Sequence, residues 1–157
     1  MKQLATLFLA LLLGACGDKA EKPAAPSLED FRGQWVLVNY WAQWCKPCIE
    51  EVPELNELDM NHADVTVLGV NYDGLSGEEL AEQERRLGVA FTTLAADPSA
   101  ELGVDRPVVL PTTLLVNPDG EYVNKLVGPQ TLVALERAID SLRRSAAGGN
   151  AELAEGG

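Results

Sequence analysis

"VLVNYWAQWCKPCIEEVPEL", residues 36–55, places two cysteines three positions apart, between an apolar run and a more polar one. The run before the cysteines is apolar, β-branched and aromatic, which is typical of a buried strand, and we predict a strand over Trp35–Trp41. The residues after it predict a helix over 46–60. Pro47 falls in the first turn of that helix, where proline removes no helical hydrogen bond. The stretch therefore predicts a strand and a helix joined by a short loop, with the cysteine pair at the start of the helix.

The rest of the chain continues this alternation of strands and helices. The predicted elements are a strand over 64–72, a helix over 76–88, a short strand within 91–97, a hairpin of 112–116 and 121–127, and a helix over 130–144. Alternation of this kind predicts an α/β class, and 46% apolar residues in a chain of 157 are enough for one core. We therefore predict a single domain over 27–144, followed by a flexible tail over 145–157.

The first residues have the pattern of a signal peptide, with Lys2 before an apolar run over 4–13 that is short for a membrane span. The run ends in LGAC, residues 13–16, which resembles the bacterial lipobox. That resemblance implies cleavage after residue 15, a lipid on Cys16 and a tether over 16–26. The alternative is an ordinary signal peptide with a chance cysteine. If Cys16 carries lipid, the pair in the opening stretch contains the only free thiols.

The formal net charge of −12 argues against a nucleic-acid partner. Binding to phosphates requires a basic face, and the Lys and Arg positions of this chain form no cluster along the sequence.

The position of the cysteines predicts their chemistry. Free backbone N–H groups and the positive end of the helix dipole stabilise a thiolate at Cys45, and Lys46 adds a cation. Cys48 lies on the same helix face, within bonding reach of Cys45 but deeper in the domain. The arrangement predicts an exposed sulfur that attacks and a shielded sulfur that resolves.

Three other uses of the pair compete with redox chemistry. A zinc site needs four ligands, whereas the chain adds only the distant His62 and a cysteine that is expected to carry lipid. A Cu(I) chaperone could use two thiolates, although no cluster of methionine or histidine accompanies them. A purely structural disulfide would close too small a loop to add much stability. Redox chemistry is the favoured interpretation.

The opening stretch and LPTTLLVNPDGEYVNKLVG, residues 110–128, together resemble the thioredoxin fold, specifically the membrane-anchored disulfide reductases of the TlpA/ResA type. The resemblance covers about 27–144. It implies a mixed central sheet flanked by helices, with an inserted helix and strand between 76 and 97. It further implies that Cys45 is the nucleophile, Cys48 the resolving thiol and Pro111 a cis-proline. The residues expected to bind the substrate are Trp44, Lys46, Pro47, Leu110 and Pro111.

Glu51 is the third expected catalytic residue. Thioredoxins carry a buried aspartate six residues before the first cysteine, but this chain has Asn39 there, which cannot act as a base. The TlpA/ResA type has asparagine at that place and a glutamate three residues after the second cysteine, matched here by Glu51. Helical phasing places Glu51 beside the apolar stripe of its helix. The alternative is that a carboxylate is simply favourable near a helix N-terminus.

The resemblance implies a thiol:disulfide reductase of the bacterial periplasm. Its expected substrates are exported proteins that contain disulfides, including apocytochrome c, and its electrons are expected from a membrane donor protein. No cofactor motif is present, so the cysteine pair itself is the expected redox centre. A monomer is expected. An oxidase or isomerase of the same fold is the alternative.

Overall fold

The computed structural model describes residues 25–154 of the chain, with side chains as far as residue 147. Its elements are a 3-10 turn at Leu28–Phe31, strands β1 (Trp35–Trp41), β2 (Val65–Asn71), β3 (Thr92–Thr93), β4 (Thr112–Val116) and β5 (Tyr122–Val127), and helices α1 (Lys46–Asn61), α2 (Gly77–Leu87) and α3 (Leu132–Ala154). The predicted signal peptide, Cys16 and most of the predicted tether lie outside the described residues.

The five strands form one sheet in the order β3-β2-β1-β4-β5. Strand β1 is parallel to β2 and antiparallel to β4, and β4 and β5 form the predicted hairpin. The predicted mixed sheet is therefore confirmed, as are the inserted helix α2 and strand β3. Gly88 ends α2 in the left-handed conformation with φ of 71°, which glycine adopts without steric cost.

Strand β1 lies at the centre of the sheet and is buried along its whole length. Side chains alternate across it, so Leu37 and Trp41 join a core cluster with helices α1 and α3. Val38 and Tyr40 belong to the cluster on the opposite face, which the segment from Leu94 to Leu110 covers. The central position of β1 brings its carboxyl end, and the loop that follows it, between the two cores.

Helix α3 differs from its predicted bounds. The sequence predicted a helix to residue 144 and a flexible tail after it, whereas the helix continues to Ala154. Ala146 and Ala147 follow the predicted end and are strong helix formers, and each further residue of an established helix adds a hydrogen bond. Gly148 and Gly149 beyond them are weak helix formers, so local propensity accounts for only the first part of the extension.

Within residues 25–154, none of the helices combines the length and the apolar character that a membrane span requires. The same part of the chain contains no group of three or more His, Cys, Asp and Glu side chains arranged to hold a metal ion.

Candidate functional site

Cys45 and Cys48 are joined by a disulfide in this structure, with an S–S distance of 2.01 Å and 5.3 Å between the two Cα atoms. Cys45 is the N-cap of α1, and the backbone N–H of Cys48 points to the Cys45 Sγ at 3.2 Å. This confirms that the two sulfurs are within bonding reach at a helix N-terminus. The same N–H also donates to the Cys45 carbonyl oxygen at 3.0 Å, and its position at the sulfur stabilises negative charge on Cys45 when the pair is reduced.

The expected difference in exposure between the sulfurs is small in this oxidised form. Cys45 is 5% exposed and Cys48 is 1% exposed, and both belong to the core cluster beneath α1. The prediction of an exposed Cys45 is therefore wrong for the disulfide state, in which Cys45 packs with Cys48 in the core cluster. Cys45 is nevertheless the more accessible of the two.

Glu51 is almost fully buried, with 1% of its surface exposed. Its carboxylate accepts two hydrogen bonds, one from the backbone N–H of Gln130 and one from Asn39 Nδ2, each at 3.0 Å. Burial raises the pKa of Glu51 to about 7, while the hydrogen bonds from Gln130 and Asn39 work in the opposite direction. A carboxyl group one helical turn after Cys48 therefore exchanges its proton near neutral pH.

Asn39 holds Glu51 in place. The sequence did not identify it as a functional residue, because it was considered only as a side chain that cannot act as a base. Its Nδ2 donates to the Glu51 carboxylate and also to Thr113 Oγ1 at 2.9 Å. The bond to Thr113 ties this network to β4, two residues after Pro111. A signal was available, since a polar residue in the middle of a buried strand must find partners.

The peptide bond between Leu110 and Pro111 is cis, as the resemblance predicted. The carbonyl of Pro111 accepts a hydrogen bond from the N–H of Gly128 at 2.9 Å, and Thr112 Oγ1 donates to the carbonyl of Val109 at 2.8 Å. Leu110 packs against the cluster that contains both cysteines. These hydrogen bonds hold the segment from Val109 to Thr112 directly before and at the start of β4.

Trp44 forms an exposed wall beside Cys45. Its side chain is 64% exposed, its ring meets the ring of Tyr72 edge to face at 6.3 Å, and its Nε1 donates to Asp73 Oδ1 at 3.0 Å. Lys46 and Pro47 are exposed in the first turn of α1. Trp44, Lys46 and Pro47 therefore present surface beside the disulfide, whereas Leu110 is half-buried and Pro111 is buried. Tyr72 and Asp73 are additions that the sequence did not identify.

Comparison with known proteins agrees with this arrangement. The AhpC/TSA family matches residues 17–124. The thiol-disulfide oxidoreductase ResA of Geobacillus kaustophilus is 32% identical over 120 residues, which are 74% of this chain and 67% of that protein. The thiol:disulfide interchange protein HelX of Rhodobacter capsulatus is 33% identical over 114 residues, or 70% of this chain and 61% of HelX. The chain thus spans about two thirds of the length of these relatives.

A solved structure with the same architecture is that of a DsbF homologue from Corynebacterium diphtheriae. It superimposes with a TM-score of 0.62 over 74% of this chain and 76% of its own, at 27% sequence identity. The 74% of this chain that superimposes is close to the fraction of the chain that the predicted domain over 27–144 occupies.

Proposed function

This chain belongs to the AhpC/TSA family and, within it, to the thiol-disulfide oxidoreductases that include ResA and HelX, and from that premise we propose that it reduces disulfides in exported proteins. The observation that carries the proposal is the disulfide at the start of α1 with a buried carboxyl group one turn further on. Apocytochrome c is one such exported substrate, as the resemblance to the TlpA/ResA type implies.

The proposed reaction begins with the reduced protein. The Cys45 thiolate attacks one sulfur of a substrate disulfide, so a mixed disulfide forms and one substrate thiolate leaves. Cys48 then loses its proton to the carboxylate of Glu51 and attacks the Cys45 sulfur. The mixed disulfide breaks, the second substrate thiolate leaves, and the protein holds the Cys45–Cys48 disulfide. Two electrons have passed from this protein to the substrate.

The surroundings of the pair act on its reduction potential in two directions. The helix N-terminus and Lys46 stabilise a thiolate on Cys45 and make the couple more oxidising, whereas Glu51 acts in the reducing direction. An ionised carboxylate at Glu51 opposes a second negative charge on the neighbouring sulfurs, so it destabilises the thiolate form of the reduced protein. A reduced form that is less stable gives up its electrons more readily, and the couple becomes more reducing.

Electrons must return to the cysteine pair after each turnover. The pair is itself the proposed redox centre, and the proposed electron source is a membrane protein whose own dithiol reduces the Cys45–Cys48 disulfide. That dithiol would be oxidised as the pair is reduced, by the same exchange in reverse. The proposed working form is a monomer.

We expect the Cys45–Cys48 couple to have a reduction potential nearer to thioredoxin, at about −270 mV, than to DsbA, at about −120 mV. We also expect most of the protein in cells to be reduced. Titration against glutathione or dithiothreitol buffers gives the potential, and alkylation of acid-quenched cells gives the redox state. A potential close to that of DsbA with a mostly oxidised pool would replace this proposal with the oxidase or isomerase. Tight Cu(I) binding without thiol exchange would replace it with the chaperone.

We propose a periplasmic location with a lipid anchor at Cys16, supported by the apolar run and the LGAC ending of residues 13–16. Cells grown with a radioactive fatty acid should label the protein and retain it in the membrane fraction. The Cys16→Ala variant, which keeps both active-site thiols, should take up no label. An unlabelled wild-type protein released with the soluble periplasm would contradict the anchor.

A further inference from the structure

Arg106 lies in the segment that leads to Pro111 and reaches across to the end of β2. Its Nε donates to Asp97 Oδ2 at 2.8 Å, and its Nη2 donates to the carbonyl oxygen of Tyr72 at 2.7 Å. Its guanidinium also lies over the Tyr72 ring, 4.1 Å from the ring centroid. A planar guanidinium can make all three contacts at once, which the ammonium of a lysine cannot.

Asp97 is a fixed anchor for this arginine. The hydroxyl of Tyr40 donates to Asp97 Oδ1 at 2.6 Å, and the backbone N–H of Ser99 donates to the same oxygen at 2.9 Å. Burial works to raise the pKa of Asp97, but the hydrogen bonds from Tyr40 and Ser99 and the charge of Arg106 lower it below its ordinary value. Tyr40 is fully buried in β1, so the anchor is tied to the centre of the sheet.

The ring on which Arg106 stacks is the ring that supports Trp44. Tyr72 meets Trp44 edge to face, and Trp44 directly precedes Cys45. Arg106 is followed by the exposed Val108 and Val109, in the segment that leads to Pro111. These three residues line a cavity of about 540 Å³ against strands β4 and β5, which neither Trp44 nor either active-site cysteine lines. Arg106 therefore joins the segment before Pro111 to Tyr72, the ring that supports Trp44.

We propose that Arg106 is a positioning residue for the substrate groove, a role that rests on the proposed reduction of protein disulfides. Its stack on Tyr72 and its hydrogen bond to Asp97 fix the position of the Trp44 side chain relative to the Val108–Val109 segment. A substrate chain that enters between them meets a groove that is already ordered, so less freedom is lost on binding. Small disulfides, which do not span both sides of the groove, do not depend on this order.

The test compares two disulfides with the same purified protein, using dithiothreitol as the electron source. Arg106→Gln should raise the KM for insulin by about ten-fold and leave kcat within about two-fold, because the reacting groups are untouched. The rate with oxidised glutathione should change by less than about two-fold. Arg106→Lys should behave like Arg106→Gln, since it keeps the charge but loses the planar geometry.

A second measurement separates positioning from general destabilisation. Trp44 is the exposed tryptophan, while Trp35 and Trp41 are buried, so quenching of fluorescence by acrylamide reports on Trp44. Both Arg106 variants should increase quenching, and Tyr72→Leu should raise the insulin KM without adding to the effect of Arg106→Gln. Arg85→Gln, on the exposed face of α2, is the control for loss of one positive charge.

Several outcomes would overturn the proposal. If the Arg106→Lys variant has the same KM for insulin as the wild type, the arginine attracts the substrate by its charge and does not position the groove. An unchanged KM, or an equal loss with oxidised glutathione, would also contradict it. Failure of the proposed function is a separate result, since the wild-type protein itself would then fail to reduce insulin.

Discussion

Cells that express the Cys48→Ala variant should accumulate covalent adducts between this protein and exported proteins, whereas cells with Cys45→Ala should accumulate none. Cys45 is the more accessible sulfur and lies at the helix N-terminus, so it is the sulfur that a substrate disulfide can reach. Without Cys48 the mixed disulfide has no internal route to resolution. Turnover should fall by at least about a hundred-fold in both variants, since each lacks one sulfur of the exchange.

Non-reducing gels and mass spectrometry of the purified adducts make this measurement. Treatment with dithiothreitol should release the trapped proteins, and their identity tests whether apocytochrome c is among the substrates. The double variant without both cysteines is the matched control for non-specific capture. Equal trapping by the two single variants would show that Cys45 is not the sole attacking sulfur.

Replacement of Glu51 by glutamine should slow resolution of the mixed disulfide by about ten-fold or more, within the usual range for a general base. The carboxyl group is buried one turn after Cys48, and burial raises its pKa to about 7. It can therefore accept the Cys48 proton at neutral pH, which an amide cannot do. Stopped-flow measurement of a preformed mixed disulfide should show a rate that rises through pH 7 in the wild type and loses that inflection in the variant.

Glu50→Gln is the matched control, because Glu50 is the adjacent carboxylate of α1 but is exposed. It should leave both the resolution rate and its pH profile unchanged. If Glu51→Gln gives the same rates and the same cysteine titration as the wild type, the proton of Cys48 passes directly to water and Glu51 is a structural group.

The stability of the folded protein should depend on pH through the same carboxyl group of Glu51. The folded protein binds the Glu51 proton more tightly than the unfolded chain, since the pKa rises from 4.5 to about 7 on folding. The free energy of unfolding from this group is therefore highest below pH 4.5 and falls as the pH rises through 7, by about 3 kcal/mol in total. Urea denaturation of the oxidised protein at pH 5 and pH 8 should show this loss, and Glu51→Gln should show less of it.

Local patterns in the sequence were sufficient for the order of the elements and for the reacting pair. Strand β1 has the predicted bounds because its run is short and rich in β-branched and aromatic residues, which favours a buried strand over a helix. Ser76 and Gly88 bracket α2 as predicted, since a helix start and stop depend on backbone groups within one turn. The spacing of Cys45 and Cys48 also predicted that they can form a disulfide, because two residues three positions apart at the start of a helix lie within bonding distance of each other.

The tertiary structure alone decided how the site is tuned. Glu51 becomes buried and hydrogen-bonded only when Gln130, 79 residues away, and Asn39 on the preceding strand β1 meet it, and its pKa depends on that burial. The contact of Arg106 with Tyr72 joins residues 34 positions apart, and no local pattern around Arg106 indicated it. Burial and long-range hydrogen bonds depend on how many distant residues pack together. A local sequence pattern can therefore identify the reacting cysteines, but it does not determine the surroundings that set their reactivity.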